Sequence, residues 1–508
     1  MMSQVKAQAR GKSGRFAGGA PSSKWTPARQ SHSVRVVRSS FDANATTYEN
    51  QNHWSKADGL SADAAASPDV RARIRRRAHY EIANNCYARG LSLTLANDLI
   101  GTGPHLQVLV PDAGDANTRT EHSFALWADE INLAEKLRCM RQSRFGDGEA
   151  FGLLTHNAAL AHPVKLDLRL VEADQVTDPF GLPLDPKRID GIELDDQGNP
   201  AFYRVMRVHP GSAFNWSMEF DRIQAADMIH WFRMDRPGQH RGVPEIMPSL
   251  PLFAMLRRWS LAVIRAAEQV ADIAGVIESD MMAGDGEPVD LKDQVTVELE
   301  RGQLASLPFG WKMAQMKAEQ PGTTYAEGKR EFLNEIARAQ NVPYNVAAGN
   351  SSDYNYASGR LDFQVYFRSI AVDRESLSLR CCDRILRPWS LEYAYLTGDL
   401  LDAVLAGPLP HQWFFDGTEH VDPLKEAAAE DIRLRNGSIN MAAVQARAGK
   451  DWEEEEAQRA RCVERRRKNE LKQIADDTAL CRKLGIPEAY AAPAVAPAII
   501  INDKGGGE

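Results

Sequence analysis

The stretch PLFAMLRRWSLAVIRAAEQVADIAGVI, residues 251–277, places apolar side chains at Leu252, Leu256, Trp259, Val263, Ala266, Val270, Ile273 and Ile277. Steps of four and three sustained over more than three heptads specify a helix whose apolar seam needs something to pack against. At about 1.5 Å per residue such a helix spans about 40 Å, enough for a stalk. The seam is met either by a partner helix or by the interior of a single subunit.

What surrounds the helix is a chain of alternating character. Ser67 and Pro68 are suited to open a helix through Ile74, Ala78 and Ile82, and a second, from Tyr87 to Ile100, stops at Gly101. Arg71, Arg73, Arg75, Arg76 and Arg77 stud the first and read as a solvated face or a surface of intersubunit salt bridges. Residues 146–232 change to short apolar alternations, such as Val164, Leu166, Leu168 and Leu170. Turn signals at Pro179-Phe180-Gly181 and from Asp195 to Pro200 separate them into a small β-rich unit between helical blocks.

Beyond the heptad helix, residues 280–325 are rich in Gly, Asp and Glu, with short β-like pieces around Val295, Val297 and Leu299. A returning helix, roughly Ala326 to Gln340, ends before Val342-Pro343, where proline pushes its predecessor out of the helical region. Helix, insert and returning helix predict an antiparallel pair with a tip. A polar loop from Tyr344 to Gly359 follows, its only charge Asp353, and then a helical stretch from Leu361 to about Pro388. From Asp422 to about Gly485 the chain is helical and charge-dense, Glu453–Glu456 preceding Arg465–Lys468 in the order a helix dipole favours.

Both ends read as unstructured. The first 41 residues hold Lys6, Arg10, Lys12, Arg15, Lys24, Arg29, Arg35 and Arg38 and no acid, a basic arm that is either a solvated tail or a transient contact for DNA or an acidic partner. Residues 491–508 are rich in Ala, Pro and Gly.

Bulk properties narrow the function. A chain of 508 residues exceeds what one core serves, so several subdomains are expected, and 43% hydrophobic with 26% charged residues is ordinary globular composition. A net charge of −8 argues against tight binding of nucleic acid along the whole surface, although a conduit for a sliding duplex would avoid such binding. The six cysteines have neither CxxC spacing nor a disulfide framework and read as reduced thiols. No signal-peptide core or membrane span is expected, because charges interrupt every long apolar run.

Catalytic and metal motifs are incomplete. Gly11-Lys12-Ser13 has Lys6 where a phosphate loop opens with Gly; Gly101-Thr102-Gly103 meets Leu106 where a dinucleotide fingerprint needs Gly and reads instead as a helix cap. Gly349-Asn350-Ser351-Ser352 begins like a nucleophile elbow but continues to Asp353 with no strand before it. Asp147 and Glu149 could serve as metal ligands or a general base, though two acids between glycines are more often a tight turn. The twelve histidines show no zinc-ligand spacing. Neither a metal nor another cofactor is expected.

Four stretches together resemble the lambda-type family of tailed-bacteriophage portal proteins. They are Arg236-Pro237-Gly238-Gln239-His240-Arg241-Gly242-Val243-Pro244 directly before the heptad helix; Val342-Pro343-Tyr344 leading to Asn355-Tyr356-Ala357-Ser358-Gly359-Arg360, where Ala357 departs from the usual Ser; Gly148-Glu149-Ala150-Phe151; and Val421-Asp422-Pro423 with Lys425-Glu426. Gly191 to Tyr203 is similar to a β-hairpin segment of that family.

The resemblance implies an α+β portal-type subunit with long stem helices, a β-rich wing segment, a small α/β clip and a helical C-terminal crown. By position, residues 1–66 form a flexible basic arm, 67–245 the wing, 246–279 one stem helix, 280–325 the clip, 326–342 the second stem helix, 343–360 a tunnel loop, 361–421 wing helices, 422–485 the crown and 486–508 a flexible tail. Leu252, Leu256, Trp259, Val263, Val270, Ile273 and Ile277 would pack the stem, their seam met in neighbouring subunits. Asn350, Ser351, Ser352, Asp353, Tyr354, Asn355 and Tyr356 would face DNA.

Implied partners are further copies in a ring, usually about twelve, the terminase large subunit, a head-completion or tail adaptor protein, major capsid and scaffold proteins, and double-stranded DNA. No membrane is among them. The implied place is one vertex of the virion capsid, reached from the host cytoplasm during assembly. The rival readings are a metal-dependent nuclease of phage origin using Asp147 and Glu149, and a cytosolic scaffold that never forms a ring.

Overall fold

In a computed structural model the described residues are 47–48, 51–178, 185, 187–215, 217–272, 276–279, 311–314, 323–352, 355–417, 423–447 and 452–485. Two compact units divide at Gly59; everything that follows concerns the second, from Leu60 onward. Residues 1–46 of the basic arm with Gly11-Lys12-Ser13, and also Pro179-Phe180-Gly181, Ile273, Asp353, Tyr354, Val421-Asp422, most of the 280–325 insert and the C-terminal tail, lie outside the described residues.

In chain order the elements are α1 (Ala62–Ala65), α2 (Pro68–Asn84), α3 (Cys86–Ile100), β1 (His105–Val108), α4 (Gly114–Glu130), α5 (Leu133–Gly146), β2 (Glu149–His156), β3 (Leu166–Val171), β4 (Arg188–Ile189), β5 (Ile192–Leu194), β6 (Pro200–Met206), β7 (Phe220–Gln224) and β8 (Met228–Phe232). Then come α6 (Leu250–Asp272), β9 (Val276–Ser279), β10 (Trp311–Ala314), α7 (Thr323–Ala339), α8 (Tyr344–Ala348), α9 (Tyr356–Leu377), α10 (Asp383–Thr397), α11 (Leu401–Ala406), β11 (His411–Phe414), α12 (Pro423–Arg435), α13 (Met441–Arg447) and α14 (Trp452–Leu484). Helix and sheet are mixed, as expected, and α1 falls inside the stretch read as arm.

The β-rich unit organises the packing. Strands β3, β2 and β8 form an antiparallel sheet in that order, and β4 to β7 a second one in chain order. Because strand side chains alternate between faces, Ala150, Leu168, Ile229 and Trp231 point into the main core, which α3, α5 and α10 share. Phe151, Leu153, Val171 and Met228 point the other way, into a smaller core with Val176, Ile192, Tyr203 and Val205. Burial on both faces is why β2 reads as an almost unbroken apolar run. The turn between β5 and β6 is built as its sequence requires: the Asp195 carboxylate accepts from the amides of Gln197 (2.9 Å) and Asn199 (2.8 Å), and Gly198 takes φ 85°.

The heptad helix is α6, and it stops at Asp272. Ile277 therefore belongs to strand β9, which pairs antiparallel with β10, Ile277 opposite Met313; the β-branched pair Val276-Ile277 outweighed the helical period there. The seam is met within the chain. Trp259 packs against Tyr325 and Phe332 of α7, with ring centroids 5.2 Å and 5.8 Å apart. Near the base of the pair the Gln340 amide donates to the Glu245 carbonyl at 3.0 Å. These contacts run in opposite directions along the two helices, so α6 and α7 are antiparallel, as the sequence predicts. Leu256 is buried and Leu252, Trp259 and Val263 half-buried, while Leu261 and Ile264 on the outer face are 50% and 51% exposed and Met255, flanking the seam, is 48% exposed.

The stretch predicted to end near Pro388 instead runs to Thr397, through a π-helical turn at Ser378–Cys382 and with Pro388 inside α10. A proline removes one backbone donor, a cost that packing of Ile385, Leu386 and Trp389 into the core offsets.

Candidate functional site

Two of the quoted motifs meet in space. Asp147 and Gly148 form the turn between α5 and β2, and the 236–244 segment lies across it so tightly that a Cβ on Gly148 would stand 2.2 Å from the Val243 carbonyl carbon, and one on Gly242 2.1 Å from the Gly148 oxygen. Gly148 also takes φ 91°, open to glycine at little cost.

This approach brings Arg241 onto Glu149, both fully buried. Arg241 donates to Glu149 through Nη2 at 2.6 Å and through Nε at 3.0 Å. Arg75 donates to the same carboxylate from α2, and its Nη1 reaches Asp174 at 2.7 Å. The Gly242 amide and His230 Nε2 complete the shell at 2.9 Å each. On the far side Arg241 Nη1 reaches the Val176 carbonyl (2.8 Å) and Asp190 (3.2 Å), and Asp190 also accepts from Arg71.

Burial alone would raise the pKa of Glu149, but Arg241, the His230 hydrogen bond and Arg75 hold it well below the usual carboxylate range. Burial lowers that of His230 against the pull of Glu149. A neutral ring must then donate from Nε2 to Glu149 and can accept at Nδ1 from the Tyr203 hydroxyl, 3.3 Å away. Phe151 stacks on the ring at 4.3 Å.

Two expectations change here. Arg71 and Arg75, read as surface charges, are buried, because positions four apart share a helix face and this face meets Asp190 and Glu149; Arg73, Arg76 and Arg77 are exposed. Glu149 has no lone pair left for a metal or a substrate proton, and Asp147, in the turn, is engaged by His79. Of the nuclease reading's two residues, Glu149 is thus committed to the buried ion cluster. Among the described residues no His/Cys/Asp/Glu group is arranged to hold a metal ion.

A second ionic centre starts four residues on. Glu245 accepts from Arg144 Nε at 2.6 Å and lies 3.0 Å from Arg141, and Arg144 bridges to Asp373 of α9 at 2.8 Å. Burial would raise the Glu245 pKa, yet Arg141, Arg144 and Arg233 hold it at about 2. The Arg144 guanidinium lies over Trp231 at 4.7 Å. The 241–245 stretch is thus clamped at both ends, which fixes where α6 leaves the β-rich unit and where α9 passes it. Sequence reasoning missed Arg75, Arg144 and Glu245; Arg71 and Arg75 four apart, opposite a carboxylate inside a Gly-flanked motif, were the available signal.

The polar loop is shorter than its sequence suggested. Residues 344–348 form α8, capped by Gly349 in the left-handed region at φ 62°, and α9 begins at Tyr356, directly after Asn355, a residue type suited to start a helix. Asn350, Ser351, Ser352 and Asn355 are exposed. The Asn350 side chain accepts from the Ser352 amide at 3.0 Å and hydroxyl at 2.6 Å, which folds the segment on itself. Behind it, Tyr366 on α9 donates to Asp98 at 2.6 Å and Ala347 is buried, so the loop hangs between two anchored helices. Of the residues predicted to face DNA, Tyr356 is the first residue of α9, and no strand enters the Gly349-Asn350-Ser351 turn.

Among the described residues no helix is long and apolar enough to cross a membrane. Two solved structures align with the chain at low similarity: the neck of an empty GTA particle computed with C6 symmetry (15% identity, 77% of this chain, 97% of that chain, TM-score 0.44) and the virion of a native gene transfer agent particle (14%, 74%, 93%, TM-score 0.39). The probable portal protein of Halomonas phage phiHAP-1 is 24% identical over 500 residues, which cover 91% of either chain. A sequence model described as phage portal protein, lambda family, matches residues 49–374, a span holding both ionic centres, the α6–α7 pair and the α8–α9 loop. The chain belongs to the lambda family of phage portal proteins.

Proposed function

We propose that this protein is the subunit of a closed ring at one capsid vertex, through which double-stranded DNA is packaged and later ejected. The observation that carries the reading is the α6–α7 pair: its inner seam is filled within the chain, yet Leu261 and Ile264, three positions apart on one outer face, are left about half exposed. An apolar face on a projecting helix gains stability when a neighbouring copy covers it, and repeated head-to-tail contacts that close produce a ring. In this reading the seam expected to join neighbours holds the hairpin together, and the outer face joins copies, about twelve in number.

The loop at residues 349–355 then faces the channel. Asn350, Ser351, Ser352 and Asn355 offer hydrogen bonds to a moving duplex without the salt-dependent grip that a row of arginines would give. Residues 280–325 dock the terminase large subunit and afterwards a head-completion or tail adaptor protein, residues 67–245 form the wing against capsid and scaffold proteins, and residues 422–485 form the crown. The protein works by geometry, with no bond made or broken. The double substitution Ser351→Arg with Asn355→Arg tests the channel: DNA packaging should fall while ring assembly is kept. Packaging at the unsubstituted level would remove the loop from the channel.

A further inference from the structure

Among the described residues the basic run in α14 is not drawn into the ionic network of the subunit. The expectation that its charges answer the helix dipole fails for Arg465–Lys468, which sit more than three turns from either end of Trp452–Leu484, whereas the dipole acts within a terminal turn. From Arg459 to Lys472 the cations are Arg459, Arg461, Arg465, Arg466, Arg467, Lys468 and Lys472, against the acids Glu464 and Glu470. All residues from 456 to 473 are exposed. Among the described residues none of these cations is held in an ion pair.

Arg461, Arg465, Lys468 and Lys472 follow the 4-3-4 spacing that places them within about 60° of one another on one helix face, over a length of about 16 Å. We propose that this face of α14 binds the phosphate backbone of duplex DNA without sequence preference. A duplex presents roughly one charge per 1.7 Å of its axis, so the face opposes roughly ten phosphates. A protein partner would require apolar or aromatic anchors inside the patch; Val463 and Leu471 lie off the stripe, and none of its four positions is apolar. The charge is local, which reconciles it with a net charge of −8. The inference deepens the ring reading by giving the passing DNA one contact that is electrostatic.

The test uses the full-length protein and fluorescein-labelled duplexes of about 30 base pairs in two unrelated sequences, followed by anisotropy across a salt series. The wild type should bind both alike, and the variant R461Q/R465Q/K468Q/K472Q should bind about tenfold or more weakly near 0.1 M salt, with a slope of log affinity against log salt lower by about three. R461K/R465K, which keeps the charge, should bind like the wild type. Wild-type binding that ignores salt, or a quadruple variant of unchanged helicity with unchanged affinity and slope, overturns the proposal. Particle mass measured on the same samples separates the two readings: a ring whose DNA binding ignores the substitutions overturns the role of α14 alone.

Discussion

Glu149 and Arg241, 92 positions apart in sequence, form a fully buried ion pair at 2.6 Å that joins the first residue of β2 to the segment leading into α6. Each is further engaged on its remaining side, Glu149 by Arg75 and His230, Arg241 by Asp190 and the Val176 carbonyl. A buried pair contributes little net stability compared with apolar residues of its size, but removing one partner strands the other charge in a dry interior. Its value here is register: it admits one placement of the α6 base relative to the β-rich unit.

Glu149→Gln should therefore destabilise the unit by about 3–5 kcal/mol, as should Arg241→Met, because each leaves buried charge without its partner. Denaturant unfolding of both single variants and of the double variant checks this. The double variant should lose clearly less than the sum of the two; additive losses would mean that the residues do not act as a pair.

Acid should loosen the clamp at α6 and α9. Unfolded Glu245 titrates near 4.5 and folded Glu245 at about 2. A carboxylate depressed by folding contributes stability that is complete above its unfolded pKa and is lost as pH falls through its folded one. The contribution is on the order of 3 kcal/mol, and stability measured from pH 5 down to 2 should fall more steeply in the wild type than in Glu245→Gln. Identical slopes would remove Glu245 from the acid response.

Gly328 lets Trp259 into the α6–α7 seam, since a Cβ there would stand 2.3 Å from its Cη2 atom. Alanine favours a helix over glycine by about 1 kcal/mol. Tyr325 and Phe332 leave the indole nowhere to retreat, so Gly328→Ala should instead cost about 1–3 kcal/mol. A shifted Trp259 emission together with a lower unfolding midpoint is expected; a stabilised protein would contradict the packing.

Much of this was legible in the residues. Ser67-Pro68 marked α2, Asp195 to Pro200 marked the β5–β6 turn, and the 4-3 spacing from Leu252 to Val263 marked the buried side of α6, because each pattern acts locally. Three features were not. Arg71 and Arg75 look like their exposed neighbours until Glu149 and Asp190 arrive from β2 and the β4–β5 turn. Ile277 keeps the helical period but pairs with Met313, a partner distant in sequence on strand β10. Tyr356 and its followers look like a loop when judged by polarity, although a residue such as Asn355 is also how a helix begins.

The mass and symmetry of the purified full-length protein test the central claim most directly. Native mass spectrometry with negative-stain images should find a closed ring of about a dozen copies around a central hole, and Leu261→Asp with Ile264→Asp on the outer face of α6 should dissociate it. A wild-type protein that stays monomeric or dimeric at high concentration would contradict the ring, and with it the channel assigned to the α8–α9 loop.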